Sequence, residues 1–594
     1  MPVANDRNIA LYKKDQRRHT DTSRGGKAQM ISQRTLRQIA HMMVVVSLIG
    51  SLAACGGDDD GAPPVPPDIQ TTTLQPADVG LSYSTTLSAT GTGPLTWTRT
   101  GGTFPTGLDL ATDGTVSGTP TSAGPFSFQV EVTGPGGKDG PATIQLTVRD
   151  KVHAASVNSS GAQGNGDSGF SLPPARISGR PSFSQDGRFV TFESFATNLV
   201  ENDNNGIRDI FVHDRQNGQT ARVSIATGGV ESVGGDSQNV RMTPDGRFVV
   251  FDSLATNLVA GDTNASSQGG GGRDIFVHDR TNGTTERVSV FGAGDQGICN
   301  NLPAGGNQCN SFNGTISADG RYVAFSSFAQ NLTGANIFSN VYVRDRQSGT
   351  TTRISIGALP GGNTDGNTLS ATISADGQFI VFESEASNLV TDNAPGDTDD
   401  TNGVSDIFVW SRATGNVTRV STDATGNLAN LASTQPWISS NGQLVAFASL
   451  ADDLVGVGND TNGQQDIFVK AWQPTGTGTV QRVSVDVVGL EGNGESANPF
   501  LSPDGTFVVF DSFATNLVQG SPTNGNRHVF VANRSGSGVW MKRMSASSGG
   551  LDGDGNSQFG VISDDGRFVG FSSFATNLVA SDANGRGDVF VAQR

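Results

Sequence analysis

The sequence has few of the residues on which helical, membrane-spanning and catalytic proteins depend. Its 594 residues include three cysteines, six histidines and four tyrosines, and only 16 % of them are charged. The longest apolar run has thirteen residues, 42–54, whereas a membrane-spanning helix needs about 20. No stretch rich in Ala, Glu, Lys and Leu could form a coiled coil or helical bundle, and no Gly-X-Y period indicates collagen. The four histidines after residue 54 are a thin supply for acid–base catalysis.

Glycine and phenylalanine, in contrast, are abundant. The 79 glycines make up about 13 % of the chain, against a usual share of about 7 %, and there are 32 phenylalanines. Together with an apolar content of 35 %, this composition favours many short strands joined by turns, and hence an all-β fold class.

The charge is strongly negative beyond the N-terminal segment. After residues 1–54 are set aside, 30 basic and 53 acidic residues remain, a net charge of −23. Such a surface repels phosphate backbones, so we expect no nucleic-acid partner. Divalent cations and basic partners suit it better.

Residues 1–54 have the order of a signal peptide. Arg34 and Arg37 precede the apolar run, whose length fits a signal-peptide core. Met30 is a possible true start, which would give a signal of normal length. The run ends in Leu52-Ala53-Ala54-Cys55, which resembles the lipobox of bacterial lipoproteins.

That resemblance implies cleavage before Cys55 and lipidation of Cys55. The next residue is Gly56 rather than Asp, which favours the outer membrane as the location. Residues 55–68 are rich in Gly, Asp and Pro and are interpreted as a lipidated flexible tether. The rival interpretation is a buried core segment with a chance cysteine.

Two further cysteines, Cys299 and Cys309, lie in a Gly/Asn-rich insertion. In an oxidising periplasm we expect them to form a disulfide that closes this loop. The alternative, a metal site, lacks nearby histidines or further cysteines.

Residues 69–150 alternate in the manner of half-buried strands, most clearly in Phe126–Val132 and at Ile144, Leu146 and Val148. About seven short strands in this stretch indicate a β-sandwich. Segments such as Gly-Pro-Leu-Thr-Trp at 93–97 and Asp-Gly-Thr-Val-Ser-Gly-Thr-Pro at 113–120 resemble the putative-Ig family of bacterial surface proteins. The resemblance implies an Ig-like spacer, with a binding module as the alternative.

Residues 151–594 are a tandem array whose turn residue recurs at fixed intervals. It stands at Asp186, Asp245, Asp319, Asp376, Asn441, Asp504 and Asp565. Each unit offers four strand-length runs, so the array predicts a seven-bladed β-propeller of four-stranded blades. The last unit lacks its fourth strand, which we expect the segment near Ser156 to supply.

Two aromatic positions recur in every unit, as bulky residues buried between sheets would. The first is Phe192, Phe251, Phe325, Phe382, Phe447, Phe510 and Phe571; the second is Phe211, Phe276, Tyr342, Phe408, Phe468, Phe530 and Phe590. The Ser-Pro-Asp-Gly turn, the Val-x-Phe run and the Asp-Ile-Phe-Val run resemble the WD-like propeller repeats of TolB-type proteins. This resemblance implies the fold but not the partner, because the N-terminal domain of TolB is not evident here.

Three motifs could carry chemistry. Gly166-Asp167-Ser168-Gly169 copies the tetrapeptide around a serine-protease nucleophile, but hydroxyls recur at the equivalent place in the other units. In the first unit, Ser178 stands eight residues before the turn residue Asp186, as the hydroxyls of the other units do before theirs, and Ser168 is displaced from that place by ten residues. We therefore interpret the hydroxyl as part of the scaffold. Arginines that end the fourth strands, such as Arg222, are expected to be solvated and paired with nearby Asp.

The third motif, Asp-x-Asn-Gly-x-x-Asp, is the best candidate for a ligand site. It occurs at Asp203/Asn205/Asp209, Asp400/Asn402/Asp406, Asp460/Asn462/Asp466 and Asp582/Asn584/Asp588. Its oxygens could suit Ca²⁺, although Asn-Gly is also a strong turn former. Turn structure is the favoured interpretation and calcium the alternative; no other cofactor, metal or catalytic site is expected.

These features together predict a non-enzymatic, lipid-anchored cell-envelope protein with a monomeric propeller. Residues 1–54 would be the signal peptide, 55–68 the tether, 69–150 the Ig-like domain and 151–594 the propeller. The propeller would bind a protein or a glycan at its channel mouth or at the long loops 262–272 and 293–313. The alternative is an enzyme that acts on envelope or extracellular polysaccharide through channel carboxylates.

Overall fold

The regular elements of the protein, in a computed structural model, are all β-strands in the residues that the structure describes. These residues are 63–170, 179–262, 272–291, 294–297, 310–329, 337–357, 362–390, 402–456, 458–518, 524–535 and 540–594. The all-β fold class is therefore confirmed. Within these ranges, no helix has the length and apolar character needed to cross a membrane. The chain divides into the units Met1–Pro63 and Pro64–Arg594, and apart from Pro63 the described residues belong to the second.

An Ig-like region comes first. Its strands are β1 (Asp68–Ile69), β2 (Ala77–Asp78), β3 (Tyr83–Thr86), β4 (Ala89–Thr90), β5 (Thr96–Gly102), β6 (Leu108–Leu110), β7 (Thr115–Gly118), β8 (Gly124–Gly134) and β9 (Gly137–Arg149). One sheet has the order β2-β9-β8-β5 and the other β3-β7-β6, while β1 pairs with β4. Trp97, Val116, Phe128 and Ile144 are buried in its core. The alternating residues of β8 and β9 supply much of this core, as the period-2 pattern predicts.

In the described residues, the strands that follow form seven four-stranded antiparallel sheets, which we call the blades. The first strands are β11 (Ser182–Phe183), β15 (Ser237–Met242), β21 (Ser311–Ile316), β25 (Thr368–Ile373), β29 (Ser433–Ile438), β33 (Ser496–Leu501) and β37 (Ser557–Ile562). The second strands are β12 (Phe189–Ser194), β16 (Phe248–Ser253), β22 (Tyr322–Ser327), β26 (Phe379–Ser384), β30 (Leu444–Ser449), β34 (Phe507–Ser512) and β38 (Phe568–Ser573). The third strands are β13 (Asp209–Asp214), β17 (Asp274–Asp279), β23 (Asn340–Asp345), β27 (Asp406–Ser411), β31 (Asp466–Ala471), β35 (His528–Asn533) and β39 (Asp588–Gln593). The fourth strands are β14 (Gln219–Arg222), β18 (Thr284–Arg287), β24 (Thr350–Arg353), β28 (Val417–Arg419), β32 (Val480–Arg482), β36 (Trp540–Arg543) and, for the last blade, β10 (Val152–Ala154). A separate hairpin is formed by β19 (Val290–Phe291) and β20 (Asp295–Gln296).

The last blade is completed from the start of the array. Strand β10 pairs antiparallel with β39, with Val152 opposite Ala592 and Ala154 opposite Phe590. The first strands contact one another from blade to blade, and β37 contacts β11 in turn. The prediction that the segment near Ser156 supplies the missing strand is confirmed, although the strand lies at 152–154. This pairing removes the exposed edge that an open last blade would present.

The repeated aromatic side chains form the core of each blade. In all seven sheets the aromatic of the second strand lies opposite the aromatic of the third strand, with ring centroids 5.7–6.0 Å apart and planes 22–27° from parallel. These rings are buried. Offset stacking of this kind adds to the free energy gained from burying apolar area.

The repeated Ser-x-Asp-Gly turn has a local cause. In the first blade the Ser184 hydroxyl donates to Asp186 (2.8 Å) and accepts from the Phe189 amide (2.9 Å). The same carboxylate accepts from the Arg188 amide (3.0 Å), and Gly187 has a φ of 67°, a conformation that glycine adopts without steric cost. The four residues thus close the hairpin between first and second strands.

Asp78 joins the Ig-like region to the first blade. It accepts two hydrogen bonds from Arg149, from Nε at 2.7 Å and from Nη2 at 2.9 Å, and it lies 3.6 Å from Arg215 of the first blade. Arg149 also donates to the carbonyl of Arg215. The carboxylate is 13 % exposed, so its charge is largely shielded from water.

Replacing Asp78 with alanine should loosen this junction. Arg149 and Arg215 lose their shared partner, which should lower the free energy of unfolding by about 2 kcal/mol and speed tryptic cleavage after the exposed Lys151. The measurement is a proteolysis time course beside a urea titration. The control is Asp109→Ala, at an exposed position of β6. Equal cleavage rates for the variant and the native protein would contradict the role given to Asp78.

Candidate functional site

The channel side of the ring is shaped by one bulge in each complete first strand. The ladder between first and second strands shifts register in six blades, for example between Gln238 and Arg241. The residue inside each shift has a positive φ of 55–60°: Asn239, Asn313, Ser370, Gln435, Asn498 and Phe559. Bulges re-aim side chains and leave main-chain amides out of the ladder. Each of these amides needs another acceptor when it is buried.

Carboxylates of the neighbouring blade accept from several of these amides. Glu193 accepts from the Asn239 amide (2.9 Å), Glu383 from the Gln435 amide (2.8 Å) and Asp511 from the Phe559 amide (3.2 Å). Each acid stands directly after the repeated aromatic of a second strand and is buried, as is Asp252 at the same position. These are the channel carboxylates that the sequence could not place.

Arginines pair with Glu193, Asp252 and Asp511. Arg208 lies 3.1 Å from Glu193, Arg273 lies 3.2 Å from Asp252 and Arg527 lies 2.6 Å from Asp511. Each arginine directly precedes a third strand, so the pairs are set by the repeat. Burial raises the pKa of Glu193, Asp252 and Asp511, and the arginines oppose this effect. One feature of the sequence could have located these acids: in four of the seven units an Asp or Glu directly follows the repeated aromatic of the second strand.

A cleft of about 400 Å³ opens beside Glu383, one of these four acids, between the second, third and fourth blades. The rings of Phe312 and Phe328 are 5.7 Å apart on one side of it. Asn310, Asn313 and Glu383 also line it, and we call it the mouth cleft. Its lining combines aromatic surface with amide groups and a carboxylate. Asn310, Phe312 and Asn313 belong to the 293–313 segment, for which the sequence predicted a binding role.

The Asp-x-Asn-Gly-x-x-Asp motif brings acids together at the outer rim, where arginine already binds them. Asp203, Asp209 and Glu231 place one oxygen each within 4.8 Å of one another. The Arg222 Nη1 atom lies 3.1, 3.3 and 2.6 Å from these three carboxylates. A guanidinium therefore stands where a divalent cation would have to bind. Asn205 donates to Asp209 (2.8 Å), which orients the turn.

The same arrangement recurs in other blades. Arg287 lies 3.1 Å from Asp262, and Arg482 lies 3.2 Å from Asp460 and 2.9 Å from Glu491. The expectation of solvated arginines was wrong, since the Arg222 and Arg482 side chains are only 9 % and 11 % exposed. The loop that carries the acids covers the end of the fourth strand and shields the guanidinium from water. Asp400 lies outside the described residues.

His528 occupies the place of Asp209 in the sixth blade. It is fully buried, with Nδ1 3.0 Å from the Ser545 hydroxyl and Nε2 3.2 Å from Asn524 Oδ1. In the first blade the Ser224 hydroxyl donates to Asp209 (2.5 Å), so Ser545 donates to a neutral imidazole in the same way. Burial, with Arg543 nearby, lowers the pKa of His528 to about 4. The histidine is therefore part of the scaffold.

This lowered pKa predicts a loss of stability in acid. The imidazole stays neutral in the folded protein down to about pH 4, whereas in the unfolded chain it takes up a proton near pH 6.5. The contribution of His528 to the free energy of unfolding is therefore complete above pH 6.5 and should decline as the pH falls to 4. His528→Asn, which copies Asn340 of the third blade, should lose less stability over this interval in urea titrations. An identical pH dependence in both proteins would refute this assignment.

The remaining predicted residues divide between scaffold and undescribed segments. Ser168 pairs with the Ser194 hydroxyl (2.8 Å), and six other blades have the same pair at 2.7–3.1 Å. The displacement of Ser168 and its scaffold role are thus confirmed, with a hydroxyl rather than backbone as partner. Ser178, Cys55, Cys299 and Cys309 lie outside the described residues, so lipidation and the disulfide stay predictions.

Comparison with known proteins gives one family match, which covers residues 63–149: the Putative Ig domain. No curated protein matches. Among solved structures, an oligogalacturonate lyase in complex with manganese is similar over 70 % of this chain and 88 % of its own, with 11 % identity and a TM-score of 0.39. TolB from Acinetobacter baumannii is similar over 71 % and 79 %, with 13 % identity and a TM-score of 0.29. The β-propeller domain of the Trilobed protease from Pyrococcus furiosus is similar over 68 % and 91 %, with 11 % identity and a TM-score of 0.37.

Proposed function

We propose that the protein is a non-enzymatic cell-envelope lipoprotein whose propeller binds a glycan or a protein at the mouth cleft. The cleft is the observation that carries the proposal. Phe312 and Phe328 contribute aromatic surface to the cleft lining, against which the C–H surface of a sugar ring can pack, and Asn310 and Asn313 offer amides for its hydroxyls. This chemistry favours a glycan over a protein partner.

The use of the channel carboxylates supports a binding role over a catalytic one. Glycoside hydrolysis employs two carboxyl groups that flank the scissile bond. In the described residues, Glu193 and Asp511 are engaged by arginines and by bulge amides, and Glu383 is the only carboxylate in the lining of the mouth cleft. The alternative, an enzyme acting on polysaccharide, therefore has one acid at the cleft rather than a pair.

A glycan-binding measurement tests the proposal. The mature chain is screened against envelope and extracellular polysaccharides, and the affinity of a retained glycan is compared with that of Phe328→Ala. We expect a loss of about tenfold, or about 1.4 kcal/mol, whereas Phe291→Ala, an exposed aromatic outside the cleft, should bind normally. No glycan retention, together with capture of a protein by the cleft, would replace the glycan with a protein partner.

The non-enzymatic part has its own test. Each retained polysaccharide is incubated with the protein and assayed for new reducing ends and for unsaturated ends. Formation of either, and its loss in Glu383→Gln, would establish the enzymatic alternative. No new ends are expected.

The lipid anchor is tested separately. Labelling with a palmitate analogue should modify the native protein and not Cys55→Ser, and only the native protein should fractionate with the outer membrane. Recovery of unlabelled native protein in the soluble periplasm would overturn the anchor. It would leave the binding function of the cleft standing.

A further inference from the structure

Two arginines meet on the axis of the ring. Arg180 precedes β11 and is 3 % exposed, and Arg241 belongs to β15. Their guanidinium carbons each lie 5.5 Å from the centroid of the Trp437 ring. Phe500 stacks against that indole at 4.3 Å. Side chains from four blades therefore converge at this point of the channel.

In the part of the chain that the structure describes, the two guanidinium groups donate hydrogen bonds to main-chain carbonyls and to no side chain. Arg180 donates to the Pro499 carbonyl (3.1 Å), and Arg241 donates to its neighbour's carbonyl at Val240 (2.6 Å) and to that of Arg180 (3.4 Å). Among the described residues, no carboxylate lies within 4.0 Å of either group. The Nε atoms of both arginines are buried and have no hydrogen-bond partner in the described part of the chain. The adjoining residues 171–178 include no Asp or Glu.

This arrangement is costly for the protein alone. Burial lowers the pKa of Arg180 to about 9; the charge of Arg241 adds to this effect and that of Asp511 opposes it. Burial lowers the pKa of Arg241 to about 10, although the charges of Glu193 and Asp252 oppose the effect. Buried charges in proteins are normally paired, because an uncompensated ion in a medium of low dielectric is unfavourable. The indole face offsets part of this cost. A negative charge between the two guanidinium groups would offset much more.

The space beside the arginines limits the size of such a charge. The cavity has a volume of about 20 Å³, and its walls include Arg180, Arg241, Asn313, Gln435, Trp437 and Asn498. A volume of about 10–15 Å³ on this measure accommodates one water. The cavity is therefore suited to a single small ion. Amide side chains in the wall add neutral N–H donors to the charged ones.

We propose that the central channel binds one small monovalent anion of chloride size between Arg180 and Arg241. The anion accepts hydrogen bonds from the buried guanidinium groups and neutralises part of their repulsion. It thereby links β15 to the segment that leads into β11, close to the point where the ring closes. This site adjoins the mouth cleft, with which it shares Asn313, but it does not depend on the proposed function.

Bromide provides a direct probe, because it substitutes for chloride and scatters anomalously. Crystals of the native protein grown in sodium bromide should show an anomalous peak between Arg180 and Arg241. Such data need no variant and stand even if substitutions disturb folding. A channel without a peak in crystals that contain other bromide sites would overturn the proposal.

Thermal melting provides the second test. At equal ionic strength, chloride in place of gluconate should raise the melting temperature of the native protein by about 1–2 °C, as expected for a ligand near ten times its dissociation constant. Arg180→Met should abolish this difference, and Arg586→Met, at an exposed position, should retain it. A chloride effect of the same size in Arg180→Met would place the ion elsewhere and contradict the proposal.

Discussion

Replacing Asp511 with alanine should lower the free energy of unfolding by about 3–5 kcal/mol, the cost of breaking a buried ion pair by removing one partner. Asp511 is fully buried, and its two oxygens serve different blades. One accepts from Arg527 (2.6 Å) within its own blade and the other from the Phe559 amide (3.2 Å) of the next. The substitution leaves the main-chain amide without its acceptor and leaves the Arg527 guanidinium with Glu495 (2.6 Å) in place of two carboxylates.

Urea titrations measure the effect, with Glu201→Ala, at an exposed acid, as the control that should change stability by less than about 0.5 kcal/mol. A double variant separates the causes. Asp511→Ala with Arg527→Gln copies the residues that the fifth blade has at these positions, Ala448 and Gln465. It should recover at least half of the loss, since the guanidinium is removed together with its buried partner. A single variant as stable as the control would show that the carboxylate does not link the blades.

Replacing Arg222 with methionine should destabilise the protein by a similar amount at pH 7, about 3–5 kcal/mol. Asp203, Asp209 and Glu231 would then converge without a counter-charge. Arg247→Met is the matched control, because that arginine pairs with Asp279 at the surface and is 41 % exposed. Such exposed pairs contribute little to stability, because water screens their attraction.

The deficit of the Arg222 variant should shrink in acid. Burial already raises the pKa of Asp203 to about 6, and loss of the guanidinium removes an effect that lowers it. An acid whose pKa is raised by folding stabilises the folded state below that pKa and loses this contribution as the pH rises through it. The difference between the variant and the native protein should therefore be larger at pH 7.5 than at pH 5. An equal deficit at both values would contradict this account.

Calcium distinguishes the two interpretations of the motif. In the Arg222→Met variant the three carboxylates can bind Ca²⁺, so millimolar CaCl₂ should raise its melting temperature. The native protein should melt at the same temperature in CaCl₂ and in EDTA, because the guanidinium already fills this place. A calcium-dependent shift in the native protein would show that the motif binds the ion despite the arginine.

The sequence determined the elements of this fold to a large extent. The interval between Asp-Gly turns predicted the repeating unit and its four strands. A turn that needs Gly at positive φ can be located without tertiary information. The recurrence of aromatics such as Phe382 and Phe408 located the blade cores. The pairing of β10 with β39 followed from matching the two ends of the array, because an unpaired strand in the last unit requires a partner elsewhere.

The chemistry of the channel and rim was decided only by the tertiary structure. Nothing local in the sequence shows that Glu193 meets the amide of Asn239, 46 residues later, or that Arg180 and Arg241 both lie 5.5 Å from the same indole ring. Whether Arg222 is solvated or enclosed depends on a loop that folds over it from another part of the blade. Turns and alternating burial depend on a few neighbouring residues, so they can be predicted from the sequence. Charges that are distant in the sequence pair only when the fold brings them together. The folded ring therefore determines which acids pair with an arginine and which arginines have no carboxylate beside them.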